Sequence, residues 1–141
     1  MHLGGKNYSI KDENERIIGE WYHIAAVVKE NQGSSEVNIY ENGVLIKEIT
    51  SARLLGDIEG KPWTLGQEWD SKGKSDFFSG QMDEVRIWNY ARTEVEINAD
   101  QDSRITGKEA GLVGYWHFDG LTAKDYSGNG NNGTIYYSAT H

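Results

Sequence analysis

The chain has 141 residues, 37% hydrophobic and 26% charged, with a formal net charge of −8. That length suits one domain with a real core. The acidic balance excludes the basic surface of a non-specific nucleic-acid binder, no apolar run approaches the roughly 20 residues of a membrane-spanning helix, and the 0 Cys exclude disulfides, cysteine-ligated zinc and thiol catalysis.

The 17 Gly and single Pro, spread between β-branched and aromatic runs, predict many short strands joined by turns. Residues 1–16 read as an irregular polar lead-in with a short strand at 8–10, and residues 17–20 as a turn. Residues 21–28, Trp-Tyr-His-Ile-Ala-Ala-Val-Val, are nearly all apolar, which predicts a central strand covered on both faces. Residues 36–40 alternate with period two, and residues 44–49 form a second run after Asn42-Gly43. Asn-Gly between two such runs predicts a hairpin, because its turn needs positive φ at both central residues.

Residues 63–66 read as another short strand, and residues 68–75 as a polar loop containing Trp69. Residues 81–88 form a strand pattern with Val85 and Ile87 on the core face. Thr93 and Glu96 have capping-box spacing and predict one short helix to about residue 100. Residues 112–118 read as a strand, residues 120–141 as a Gly/Asn-rich tail, and residues 134–137 as a last strand. The total of six to eight strands and one short helix predicts an all-β antiparallel sandwich or jelly roll spanning residues 1–141 as one domain.

Three segments resemble the laminin-G-like jelly-roll domains of the concanavalin A-like lectin/glucanase superfamily. They are Glu20-Trp21-Tyr22-His23-Ile24-Ala25, then Tyr40-Glu41-Asn42-Gly43, then Gly80-Gln81-Met82-Asp83-Glu84-Val85-Arg86-Ile87-Trp88-Asn89. Tyr22 is an extra spacer between Trp21 and His23, and Met82 replaces the usual isoleucine. Residues 91–97 resemble the short helix that follows in the family. Residues 111–119 and 125–131 resemble a segment that often flanks these domains in large bacterial surface and secreted proteins.

The resemblance implies a recognition or adhesion module at the cell surface or outside the cell. Few residues precede Trp21, so the sandwich reads as short of N-terminal strands. An edge left unpaired in this way predicts pairing with a second copy or with neighbouring sequence.

Several residues offer chemistry. Asp119, Asp125, Asn129 and Asn131 are hard oxygen donors in a Gly-rich segment, and Asp83 adds a carboxylate if the tail folds back. Calcium takes six to eight such oxygens, and the resemblance implies calcium because such sites are common in the family. The competing reading is that these residues make turns through local hydrogen bonds.

Trp69 and Asp70, with Glu68 and Trp63, are the candidate ligand residues: a sugar face stacks on an aromatic ring while carboxylates and amides take its hydroxyls. The alternative is that Trp63 and Trp69 cover the sandwich end. Trp21, Trp88 and Trp116 fit sheet-covering positions, and His23 fits a buried structural histidine. Glucanases on this fold carry a glu-x-asp-x-x-glu pattern. Glu68-Trp69-Asp70 begins it, but Gly73 stands where the third carboxylate belongs, and adjacent Asp83 and Glu84 point to opposite faces of a strand.

A non-catalytic module is therefore expected. Glycan with structural calcium is the first expectation for its partners, and a cell-surface protein or another copy of the molecule the second. Neither nucleic acid nor membrane insertion is expected.

Overall fold

The computed structural model describes residues 2–3, 6–7, 16–51, 63–70, 73–75, 77–120 and 122–136; of residues 2–3, 6–7, 51, 68–70 and 73–75 it describes the backbone alone. The strand predicted at residues 8–10 lies outside the described residues. The fold is that of an antiparallel jelly-roll sandwich with one short helix, as the sequence predicts.

Strands β1 (His2–Leu3) and β2 (Lys6–Asn7) form a short antiparallel pair. Strands β3 (Ile24–Asn31), β4 (Ser34–Glu41) and β5 (Val44–Ser51) form a sheet with β4 in the middle. Strands β6 (Glu68–Asp70) and β7 (Gly73–Ser75) make a small hairpin. Strand β8 (Val85–Trp88) pairs with β9 (Leu112–Trp116), and helix α1 (Glu94–Asp100) lies between them in the sequence.

Register follows from which faces are apolar. Val37 lies opposite Val28 on one side and Ile49 on the other. These three and Ile39 make one small core. Val27 and Tyr40 point to the other face and pack on Ile97 of α1, with Ala25 and Ala91 beside them. Each buried side chain of this size contributes about 1.5–3 kcal/mol. A one-residue slip of β4 would exchange the two faces, which fixes its pairing.

The Asn42-Gly43 turn forms as predicted, with φ of 47° and 77°. Gly43 is required for a second reason: a Cβ there would lie 1.8 Å from Asn98 Oδ1. Helix α1 begins with the predicted capping box. Glu96 N–H donates to Thr93 Oγ1 at 3.3 Å and Thr93 N–H to Glu96 Oε2 at 2.7 Å. Its last turn holds no basic residue. Arg86 of β8 serves instead, donating to the carbonyls of Asp100 (2.8 Å) and Ser103, and so attaches the helix end to the β8–β9 pair.

Several expectations are corrected. The first is a central strand over residues 21–28 buried on both faces. The strand runs from Ile24 to Asn31 and pairs with β4 alone among the described residues. Residue 23 is used instead as a clamp on the hairpin turn. The His23 carbonyl accepts from Asn42 N–H at 2.8 Å, and His23 N–H donates to Asn42 Oδ1 at 2.9 Å. Trp21, ahead of the ladder, is 63% exposed and covers no sheet, whereas Trp88 and Trp116 are half-buried.

Residues 63–66 form a bend rather than a strand, held by Thr64 Oγ1 donating to the Gln67 carbonyl at 3.0 Å. Residues 68–75, expected as loop, contain the β6–β7 hairpin. The strand expected at 81–88 starts only at Val85, because Glu84 is left-handed with φ 52°. The strand expected from 134 is absent over the described residues 134–136.

Candidate functional site

Two regions gather the functional side chains. The first surrounds the β6–β7 hairpin. Its register pairs Glu68 with Ser75, Trp69 with Lys74, and Asp70 with Gly73. The side chains of Glu68, Trp69 and Asp70 lie outside the described residues.

The flanking segments are joined by Phe78 N–H donating to the Gly66 carbonyl at 2.7 Å. Gly66 is left-handed (φ 74°), and a Cβ there would touch Met82 Cε and Phe78 Cβ. Where these segments emerge, three aromatic rings face solvent: Trp63 is 77% exposed, Phe77 58% and Phe78 55%. Leu65 and Met82 are exposed as well. Large aromatic rings in water forgo about 2–3 kcal/mol each of burial.

The second region is the tail. Strand β9 pairs with β8 on one side, and residues 125–132 occupy its other side. The buried Asp125 carboxylate, 5% exposed, is the centre. Its Oδ1 accepts from Tyr115 N–H at 3.0 Å and Ser127 N–H at 2.8 Å. Its Oδ2 accepts from Ser127 Oγ–H at 2.9 Å and Asn131 N–H at 2.8 Å.

Asn129 Nδ2 donates to the carbonyls of Leu112 (2.9 Å) and Val113 (3.1 Å), and Asn131 Nδ2 to that of Val113 (2.8 Å). Tyr126 N–H donates to the Tyr115 carbonyl at 2.7 Å, and Asn132 Oδ1 accepts from Asp125 N–H at 2.9 Å. Burial works to raise the Asp125 carboxyl, but the donors from Ser127, Tyr115 and Asn131 outweigh it and hold it below its ordinary value. The tail thus satisfies the backbone groups that an edge strand otherwise leaves open.

Beside the tail lies a charged cluster. Glu84 Oε2 accepts from Tyr115 Oη–H and from Arg86 Nη2 at 3.1 Å, while Oε1 accepts from Arg104 Nε at 3.0 Å. Arg104 Nη2 also pairs with Asp119 Oδ2 at 2.9 Å. Burial pushes the Glu84 carboxyl up, and Tyr115, Arg86 and Arg104 overcome this and leave it lowered. Burial first, then Glu84, pushes the Tyr115 hydroxyl up to about 12. His117 stacks on Tyr126 (4.0 Å, 8°) and meets the Tyr115 ring at 4.3 Å.

The five predicted calcium ligands divide. Asp125, Asn129 and Asn131 are together on β9; exposed Asp119 pairs with Arg104, and exposed Asp83 accepts Glu84 N–H at 2.8 Å. Among the described residues no three His, Cys, Asp or Glu side chains are arranged to hold a metal. The Asp125 oxygens already receive four donors, so as they stand these residues do not fit a calcium cage.

Half-buried His23 makes its clamp through the backbone, and its Nδ1 is buried with no hydrogen-bond partner among the described residues. Burial first, then Arg86, lowers its pKa, while Asp102 works the other way. Sequence reading overlooked Phe77, Phe78, Arg104 and Tyr115. Phe77-Phe78 resembles any strand approach, and the roles of Arg104 and Tyr115 depend on contacts 20 and 31 residues away in the sequence.

A family model described as the concanavalin A-like lectin/glucanases superfamily, of laminin G type, matches residues 1–98. The match includes the hairpin and its aromatic flank and ends before β9 and the tail. No curated protein and no solved structure matches the sequence.

Proposed function

The chain belongs to the concanavalin A-like lectin/glucanases superfamily, which supports a binding module in general, and from that premise we propose that it binds carbohydrate at the surface around the β6–β7 hairpin. The observation that carries this reading is the exposure of Trp63, Phe77 and Phe78 around that hairpin. Sugar rings present one apolar C–H face, and an exposed aromatic ring receives it without desolvating a polar group. Trp69 of the same hairpin adds a further candidate ring.

Laminin G domains are typically extracellular, a setting in which a glycan partner would be met. No bond-breaking step is assigned. Calcium would have to draw Asp125 away from four donors, so the tail is read as standing on its own hydrogen bonds.

The test is a glycan array followed by titration calorimetry on the best glycan, with Trp63→Ala and Trp69→Ala. Retention of a glycan by the parent protein and a loss of affinity of about tenfold or more in each variant is expected, as for an aromatic hot spot. Binding unchanged in both variants overturns the placement. No glycan retained, with concentration-dependent self-association, would turn the reading towards assembly between copies, which the outer edges of β3 and β5 would serve.

A further inference from the structure

Strand β9 has one neighbour, β8, among the described residues, so its other edge is where a further strand would add. In an antiparallel ladder alternate residues aim their N–H and C=O groups at the same neighbour. On β9 the residues aimed away from β8 are Val113 and Tyr115, because the tail reaches the Val113 carbonyl and both backbone groups of Tyr115. We propose that the tail guards this edge, and that displacing it lets β9 pair with β9 of a second copy of the chain.

The hydrogen bonds carry the proposal. An added strand would use the N–H and C=O of Val113 and of Tyr115, and the tail already takes three of these groups. Ser127 Oγ, Asn129 Nδ2 and Asn131 Nδ2 donate to the Val113 carbonyl at 3.1, 3.1 and 2.8 Å. Asp125 Oδ1 accepts from Tyr115 N–H at 3.0 Å, and Tyr126 N–H donates to the Tyr115 carbonyl at 2.7 Å. All but the last come from side chains, and residues 125–132 form no strand. The tail therefore covers the edge without extending the sheet.

The uncovered edge would suit a second copy. Natural edge strands discourage pairing with charges and proline. Strands β3 and β5, at the edges of their sheet, carry Lys29, Glu30, Lys47 and Glu48. Leu112-Val113-Gly114-Tyr115-Trp116 carries neither charge nor proline, and the tail stands in their place. Antiparallel pairing about a two-fold axis at Gly114 sets Val113 opposite Tyr115 of the second copy, so the outward groups of each meet. It sets Leu112 opposite Trp116 of the second copy. Both are aliphatic–aromatic pairs, and no like charges meet. Gly114 falls on the axis, where the two backbones come closest and the absence of a side chain helps. None of these residues belongs to the aromatic flank, so this inference is independent of carbohydrate binding.

The experiment is sedimentation velocity over a range of concentrations on the full-length parent, on Asn129→Ala with Asn131→Ala, and on Asp125→Ala. Circular dichroism checks that each is folded. Self-association about tenfold or more tighter than in the parent is expected in the tail variants. Adding Val113→Lys, a charge on the edge, should return them to parent behaviour. Hydrogen exchange should show the Val113 amide slowing as the concentration of a tail variant rises, a readout that does not depend on the lysine variant. Folded tail variants no more associated than the parent overturn the inference, as does association that leaves the Val113 amide unprotected or that Val113→Lys does not weaken. Tail variants that are all unfolded overturn it too, since the tail would then be a condition of folding and no guard.

Discussion

The tail on β9 and the aromatic flank of the β6–β7 hairpin solve opposite problems. The tail turns polar side chains inward: Asp125, Asn129 and Asn131 close on backbone groups of β9 and leave little for a partner to take. The hairpin flank turns apolar rings outward, where Trp63, Phe77 and Phe78 forgo burial. Asp125, Asn129 and Asn131 make hydrogen bonds that hold the tail on β9, whereas Trp63, Phe77 and Phe78 stand in water. Polarity alone does not mark function. A polar group with all its hydrogen bonds made is structural, and an apolar ring kept in water is the anomaly that asks for a partner.

Substitutions break this comparison in order of size. Asp125→Ala leaves the Tyr115, Ser127 and Asn131 donors beside a buried gap and is expected to cost about 3 kcal/mol. That lowers the melting temperature by about 10 °C in a domain of this length, as circular dichroism would read; a loss under about 1 kcal/mol would show that the tail does not depend on this carboxylate. Trp63→Ala is the reverse case, with stability within about 0.5 kcal/mol of the parent while ligand affinity falls. A large loss of stability would mean that Trp63 covers the sandwich end instead.

Glu84→Gln keeps the shape but weakens three contacts and is expected to cost about 1–2 kcal/mol by urea unfolding. A double-mutant cycle with Tyr115→Phe should show coupling of about 1 kcal/mol. Additive effects would remove the Tyr115–Glu84 bond from the account.

Acid sharpens the same contrast. Glu84, Glu109 and Asp125 all sit below their ordinary pKa values in the folded protein. Their contribution is therefore complete above the unfolded carboxylate range, about pH 4–5, and is lost as pH falls through the lower folded values. Tyr115, raised to about 12, contributes below the ordinary tyrosine value and loses that contribution as pH rises towards its own. Melting curves from neutral to acid pH should decline only below about pH 5, and the decline should be shallower in Asp125→Asn. The smallest effect is expected from chelation. Melting in excess EDTA should match that in added calcium, and a loss of several degrees would assign an ion to Asp125, Asn129 and Asn131.

Much of the fold was legible in the sequence because its signals are local. Asn42-Gly43 needs positive φ, and the Thr93–Glu96 box satisfies its own helix start within four residues. The alternation of residues 36–40 sorts β4 onto two cores. The boundaries failed where a distant partner decided them. The ladder of β3 starts late because His23 clamps Asn42, and β8 starts late because Glu84 turns left-handed in the cluster with Tyr115, Arg86 and Arg104. The exposure of Phe77 and Phe78 was not legible, since no spacing rule separates an apolar residue that will be covered from one left in water.

By itself, then, the sequence determined the strand-rich class, the hairpin turn, the helix cap and the resemblance to the laminin-G-like family, all set by steric and hydrogen-bonding preferences of near neighbours. Only the tertiary structure decided which polar residues are saturated and which aromatic rings are exposed. A carboxylate is structural or available according to the donors that reach it, and the donors on Asp125 include Tyr115, a strand away.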